Sequence, residues 1–409
     1  MTQRDTLFLQ ALKAALLGRQ VDWDQPISAD QWAELLALAD SHKVLPMIYQ
    51  AVYACPSAAS MPPELSATCR ARVRRLVMLQ AQKTESFREL LKRLESAGAA
   101  PLVVKGIICR ELYPNPDHRM SADEDLLIPK SQFQLCHRVL TEMGMTTPDP
   151  EGRSYETPYT RPGSTLYLEI HTSLFPPDSS AFREFNRYFR DAHRRAVRQN
   201  GVPTLEPTEH LLFLILHAFK HFLHSGFGIR QVCDIILCAN TWGPEIDWQW
   251  LLETCRTLRA EQFAAGLFRI GWKHLGFSLE RSGYPLNWQA IYVEELPLLQ
   301  DILSSGVYGS ADRSRQHSST ITLRAVETRQ NHAAGGVLRS VFPPVSALEQ
   351  RYSYLQGKPW LLPVAWGQRI WKYSRETLAA PDSSAAEALK IGAERLELMK
   401  QYGILDKDL

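Results

Sequence analysis

The feature that most constrains the fold of this chain is a short β-branched run that interrupts a helical sequence pattern. Up to about residue 97, apolar residues recur at helical spacing. The pattern changes at Gly98, and residues 100–105 (Ala-Pro-Leu-Val-Val-Lys) are typical of a strand that enters a turn at Gly106. The sequence therefore predicts an N-terminal helical region, residues 1–97, followed by a region that contains strands.

Strand-like and helix-like segments alternate after this point. The predicted order is a strand at 123–128, a helix at 130–143, a loop at 144–165 and a third, hairpin-like strand at 166–171. This alternation predicts a small unit of strands and helices within residues 98–205. Helical spacing returns from residue 206, starting with a strongly apolar helix at 210–223, so residues 206–409 are expected to form a C-terminal helical domain.

Composition excludes several classes of protein. The hydrophobic fraction of 45% and the net charge of +2 are ordinary for a globular chain and give no strong nucleic-acid signal. The basic cluster at 187–198 is interpreted as a solvated helix face. Seven scattered cysteines without a C-x-x-C pair indicate reduced core residues. With no signal-peptide pattern and no uncharged apolar run of membrane length, the chain is predicted to be cytoplasmic, without a membrane partner.

Three D-x-D motifs occur, and only one of them has a strand-like context. Asp22–Asp24 lies in a polar segment and Asp406–Asp408 in the tail, whereas Asp123-Glu-Asp125 is followed at once by Leu-Leu-Ile. On a strand, Asp123 and Asp125 would share one face, with Glu124 pointing away. Neighbouring carboxylates remain ionised at low cost when a cation lies between them. A pair of Mg²⁺ ions would suit this site, activating an attacking oxygen and neutralising departing pyrophosphate.

A third carboxylate is available on the segment 166–171, in which Glu169 and His171 share a face. A charged residue in the middle of a central strand needs a partner, and a metal ion is one such partner. The alternative is an edge strand whose polar face is simply in contact with water. The residues alone leave both interpretations open.

The Lys105-Gly106 turn is a candidate phosphate site. Glycine after a strand lets backbone N–H groups approach phosphate oxygens, and the lysine could add a point charge. A strand-ending glycine can equally be an ordinary turn. The chain has neither a P-loop motif nor the G-x-S-x-G motif of serine hydrolases, which argues against those two classes of enzyme.

A histidine-rich face is predicted on the helix at 210–223. His217 and His221 have the spacing of two zinc ligands, but the sequence offers no identifiable third ligand. His217 and Lys220 could instead contact a bound nucleotide or phosphate. The remaining alternative is that these histidines pack between domains.

The ordered set of motifs resembles a known family. It comprises Leu102-Val-Val-Lys-Gly106, Leu112-Tyr-Pro114, Arg119 four residues before Asp123-x-Asp125-Leu-Leu127, and Glu169-Ile-His171, with a similar tail around residues 371–375. This set resembles the bacterial "uncharacterised nucleotidyltransferase" family of the DNA polymerase beta-like nucleotidyltransferase superfamily. Lys-Gly stands where the superfamily usually has Gly-Ser, as in this family. Ala122 stands where the family commonly has glycine.

The resemblance implies an α+β fold, in which a small mixed sheet with helices is flanked by N- and C-terminal helical regions. It implies transfer of a nucleoside monophosphate from an NTP to an unidentified acceptor, which could be a small molecule, saccharide, peptide or protein. The metal, Mg²⁺ or Mn²⁺, would be held by Asp123, Asp125 and Glu169, which are also the expected catalytic residues. The expected nucleotide-binding residues are Lys105, Gly106, Arg119, His171, His217 and Lys220. The alternative is a degenerate member that binds a nucleotide or a partner without turnover.

Overall fold

The computed structural model describes residues 1–306, 348, 352–355, 358–368 and 385–405. Asp406–Asp408 and the tail motif at 371–375 lie outside the described residues. The N-terminal region is helical, as predicted, and consists of α1 (Gln3–Leu16), α2 (Ala29–Ser41), α3 (Leu45–Val52) and α4 (Pro63–Ser96). Side-chain caps start the first two helices, because Thr2 and Ser28 each accept a hydrogen bond from a backbone N–H of the first turn.

The central region forms one six-stranded mixed sheet. Its strands are β1 (Leu102–Val103), β2 (Glu124–Leu127), β3 (Glu156–Tyr159), β4 (Leu168–His171), β5 (Val197–Gln199) and β6 (Val202–Thr204). Their order across the sheet is β3-β4-β2-β1-β6-β5. The pairs β2–β4 and β1–β6 are parallel, whereas β1–β2, β3–β4 and β5–β6 are antiparallel. With helices on either side in the sequence, this sheet confirms the predicted α+β fold.

Two segments differ from their predicted structure. β3 lies in the stretch 144–165 that was expected to be loop, and β5 begins in the basic cluster 187–198 that was expected to be helix. Pro158 obscured β3, since proline argues against a central strand. β3 is an edge strand, where a missing N–H is tolerated. The rest of the basic cluster belongs to a 3₁₀ helix, Arg183–Phe189, and to α7 (Ala192–Arg195).

The described residues within and after the sheet include nine further helices. They are α5 (Gly106–Arg110), α6 (Phe133–Glu142), α8 (Pro207–His224), α9 (Ile229–Trp242), α10 (Trp248–Thr257), α11 (Glu261–Ile270), α12 (Leu286–Gln289), α13 (Glu295–Ser305) and α14 (Ala385–Gln401). None of the helices in the described part of the chain combines the length and apolar character needed to cross a bilayer.

One hydrophobic core joins the two helical regions. A large cluster of buried apolar residues extends from Phe8 to Leu405, and a second, small cluster contains Leu348, Leu355 and Ala365. His42, in the turn after α2, accepts a hydrogen bond at Nδ1 from the Ile229 N–H and donates through Nε2 to the Leu303 carbonyl. All seven cysteines are buried and free, as the sequence predicted.

Candidate active site

The pairing of β2 with β4 brings two carboxylates together. Asp125 lies directly opposite Glu169 in the parallel register of the two strands. The ligand atoms of Asp125, Glu169 and His171 all lie within 4.8 Å of one another, so this group could hold a metal ion. The predicted closeness of Asp125 and Glu169 is therefore observed. The edge-strand alternative is wrong, because β4 is paired on both sides.

Two cationic side chains neutralise Asp125. Its carboxylate is buried, with Lys105 Nζ 2.9 Å from Oδ2 and His171 Nε2 3.1 Å from Oδ1. Burial alone would raise the pKa of Asp125. The charges of Lys105 and His171 and the hydrogen bond from His171 outweigh burial and hold that pKa well below its ordinary value. Asp125 is therefore ionised.

The neighbouring groups titrate in the opposite direction. Burial would lower the pKa of His171, but its interactions with Asp125 and Glu169 prevail and raise that pKa to about 9. The pKa of Glu169 is raised, first by burial and then by the charges of Asp125, Glu156 and Asp123, although the interaction with His171 opposes this. The site thus concentrates negative charge and compensates it with an imidazolium and an ammonium group.

Helix α8 covers this site with basic side chains. Lys105 Nζ lies 3.4 Å from His217 Nε2, and His221 Nε2 lies 3.4 Å from the same nitrogen. Burial, then the charges of Lys105 and His221, keep the pKa of His217 well below its ordinary value, so the ring is neutral and can accept a hydrogen bond from Lys105. Burial also lowers the pKa of Lys220, and the charge of Lys105 adds to this effect.

His217 and His221 do not belong to a group with a third metal ligand within the described ranges. The zinc alternative therefore gains no support from the structure. Their contact with Lys105 instead connects α8 to the carboxylates.

Asp123 lies next to the candidate metal-binding set of Asp125, Glu169 and His171, without being part of it. It directly precedes β2 and is absent from the set of ligand atoms within 4.8 Å. Its charge nevertheless contributes to the raised pKa of Glu169, after burial and the charges of Asp125 and Glu156. Asp123 is thus close enough to act electrostatically on the site.

Only glycine fits at position 106, because any side chain there would clash with Glu124 below the turn. Its φ is +46°, and a Cβ built there would lie 1.9 Å from Oε2 of Glu124. Glu124 is fully buried, pairs with Arg110 at 2.6 Å and accepts a hydrogen bond from the Ile107 N–H at 3.2 Å. The side chain of Glu124, which points away from Asp125, therefore holds the turn in place.

Arg119 pairs with a residue that does not belong to the set of Asp125, Glu169 and His171. Its guanidinium donates two hydrogen bonds to Asp234 on α9, at 2.7 and 2.6 Å, and Tyr113 donates a third to the same carboxylate at 2.7 Å. Burial would raise the pKa of Asp234, but the pairing with Arg119 lowers it. This buried network joins the loop before β2 to the C-terminal helices.

Glu156 is a site residue that sequence reasoning missed. It lies on β3 as the register partner of His171, with its Oε2 4.0 Å from His171 Nδ1. The available signal was the period of two over residues 156–159, which places Glu156 and Tyr159 on opposite faces of a strand. Pro158 and the surrounding prolines and glycines concealed it.

Comparison with protein families places the chain among the nucleotidyltransferases. Residues 28–271, more than half of the 409 residues, match the family described as "Uncharacterised nucleotidyltransferase", and the chain belongs to that family. Membership supports nucleotidyl transfer as its activity. Comparisons with curated proteins and with solved structures find no match.

Proposed function

We propose that this protein is a metal-dependent nucleotidyltransferase that transfers a nucleoside monophosphate from an NTP to an acceptor. Transfer forms a bond between an acceptor oxygen and the α-phosphorus, and breaks the bond from that phosphorus to the departing pyrophosphate. The observation that carries this proposal is the placement of Asp125 opposite Glu169 on adjacent parallel strands, inside a family of nucleotidyltransferases.

The donor set suits Mg²⁺ or Mn²⁺. Carboxylate oxygens are the ligands that these ions prefer. Asp125 and Glu169 would provide them, and Asp123, just before β2, would provide a further carboxylate. A bound ion of this kind neutralises charge on the triphosphate and activates the attacking oxygen. His171 donates a hydrogen bond to Asp125 through Nε2, so its proposed role is to orient that carboxylate.

Basic residues around the carboxylates are proposed to bind the triphosphate. Lys105 at the β1–α5 turn and Lys220 on α8 both act electrostatically on Asp125. Neutral His217 accepts a hydrogen bond from Lys105 and so keeps its ammonium near the site. Gly106 contributes through the shape of this turn, because a side chain there would meet Glu124. Arg119 is left out of this proposal because Asp234 holds its guanidinium.

A degenerate, nucleotide-binding or partner-binding protein without turnover is the second candidate. The observation in its favour is the direct contact of Lys105 with Asp125, since the ammonium group occupies an oxygen that a metal ion would need. Metal dependence separates the two candidates.

Thermal unfolding with each NTP, with and without Mg²⁺ or Mn²⁺, tests the proposal. A ligand at 100 times its Kd stabilises the folded state by about 2.7 kcal/mol, so a metal-dependent rise in Tm is expected with at least one NTP. Asp125→Asn should abolish the rise, whereas Asp22→Asn, in the exposed D-x-D motif, should leave it unchanged. Stabilisation without metal dependence would favour the second candidate. No stabilisation under any condition would refute the proposed activity and would leave only the partner-binding form of the second candidate.

A further inference from the structure

A cavity of about 640 Å³ opens where the parallel strands β2 and β4 end. One wall is formed by Leu127 and the residues that follow it, and another by the residues after His171. Leu127 and His171 are register partners, so the cavity begins at the strand ends that also carry the carboxylate site. The third wall is the 3₁₀ helix Arg183–Phe189 with its continuation to His193.

Packing holds the third wall in a defined position. Phe185 and Phe189 are buried and pack against Phe175 at ring distances of 5.1 and 6.0 Å. Asn186 accepts a hydrogen bond from the Phe175 N–H at 3.0 Å and donates one to the Phe175 carbonyl at 2.9 Å. These contacts fix the segment, and Arg183, Glu184, Arg187 and Arg190 line the cavity together with Asn186 and Phe189.

The lining of this cavity is strongly basic. It contains Lys130, Arg183, Arg187 and Arg190 against a single carboxylate, Glu184. Glu184 is 3.9 Å from Arg183 and 3.7 Å from Arg187, and these exposed pairs contribute little. Within the described ranges, neither Lys130 nor Arg190 forms an ion pair with an acidic side chain. Guanidinium groups in such a setting recognise phosphate oxygens by paired hydrogen bonds.

We propose that this cavity binds the phosphate group of a small phosphorylated acceptor. The inference rests on the proposed function, because an acceptor is needed only if the protein catalyses nucleotidyl transfer. The cavity volume lies in the range of small-molecule sites, which favours a small ligand over a nucleic-acid strand. An acceptor held by Arg187 and Arg190 would reach toward His171 and the carboxylates along the shared strand ends.

The experiment measures binding of inorganic phosphate by isothermal titration calorimetry at fixed ionic strength. Replacing Arg187 and Arg190 by Gln together should weaken phosphate binding by roughly tenfold or more, because two charge-assisted contacts are lost. The matched control is Arg194→Gln, an exposed arginine on the adjoining helix α7 that pairs with Asp191 and does not line the cavity. This control should bind phosphate like the unaltered protein.

Two further measurements separate this proposal from the proposed function. Asp125→Asn should abolish metal-dependent stabilisation by NTP and leave phosphate binding intact. The Arg187/Arg190 variant should weaken phosphate binding and keep the metal-dependent stabilisation by NTP. Equal phosphate affinity in the Arg187/Arg190 variant and the control would overturn the cavity assignment. Tighter binding of a single-stranded RNA oligonucleotide than of phosphate, lost in the same variant, would overturn the small-molecule assignment.

Discussion

Asp125 is held by two cations that differ in how freely they can move. His171 is part of β4 and is fixed by the strand, whereas Lys105 reaches Asp125 from a turn through a flexible side chain. Lys105 can therefore leave Asp125 when a stronger cation or a triphosphate arrives. We infer that its ammonium group stabilises the carboxylate in the free protein and then shifts to phosphate.

Lys105→Met tests this exchange. Removing the ammonium frees one Asp125 oxygen and removes a repulsive charge, so Mn²⁺ should bind roughly tenfold tighter without nucleotide, a difference of about 1.4 kcal/mol. The same variant should bind Mg·NTP more weakly, because the triphosphate loses a positive partner. Electron paramagnetic resonance would measure free Mn²⁺, and Lys92→Met, at an exposed position of α4, is the control. Unchanged or weaker Mn²⁺ binding would contradict the exchange.

At the scale of elements, the β1–α5 turn depends on a buried ion pair below it. Helix α5 has only five residues and is too short to be stable alone. Glu124 accepts a hydrogen bond from its second residue, Ile107, and pairs with Arg110 at its end. The buried carboxylate of Glu124, on the face of β2 opposite Asp125, thereby fixes helix α5, which follows Lys105.

Gly106→Ala should destabilise the protein by about 2–5 kcal/mol. The added methyl group would clash with Glu124, which costs about 1–3 kcal/mol, and the left-handed backbone adds about 1–2 kcal/mol. Gly98→Ala is the matched control, because Gly98 also has a positive φ, +86°, but nothing within 4 Å of an added Cβ. Urea denaturation would compare the two variants. Equal losses would show that the contact with Glu124 is unimportant.

At the scale of the whole molecule, buried neutral histidines connect distant parts of the chain. His42 joins the N-terminal helices to Leu303 and Ile229. His210 on α8 lies 3.1 Å from Thr204 Oγ1, and that hydroxyl donates to the Val103 carbonyl at 2.6 Å. Burial lowers the pKa of each histidine to about 4.

These pKa values predict acid sensitivity. Below about pH 6.5 the unfolded chain takes up protons at these histidines, whereas the folded chain does so only near pH 4. The contribution of these neutral histidines to the free energy of unfolding is fully present above about pH 6.5. It is lost as the pH falls to about 4, at up to ~3 kcal/mol per histidine. Tm should therefore fall between pH 7 and pH 5. His42→Gln should reduce that slope, and an identical slope in the variant would count against the assignment.

Local sequence by itself determined the type of most elements and the identity of the central carboxylates. The period of two on residues 166–171 put Glu169 and His171 on one face, and the apolar run after Asp125 marked β2, because side-chain direction within an element depends only on local spacing. Pairing Asp125 with Glu169 needed just one further fact, that the two strands are neighbours.

Tertiary structure decided which partners these residues have. Asp234 lies 115 residues from Arg119 and His217 lies 112 residues from Lys105, so no local spacing could reveal either contact. The burial of Glu124, the role of Glu156 and the position of the arginines beside the cavity likewise depend on the packing of distant elements. Periodicity specifies the face of an element on which a residue lies, whereas strand register and helix packing determine what that face meets.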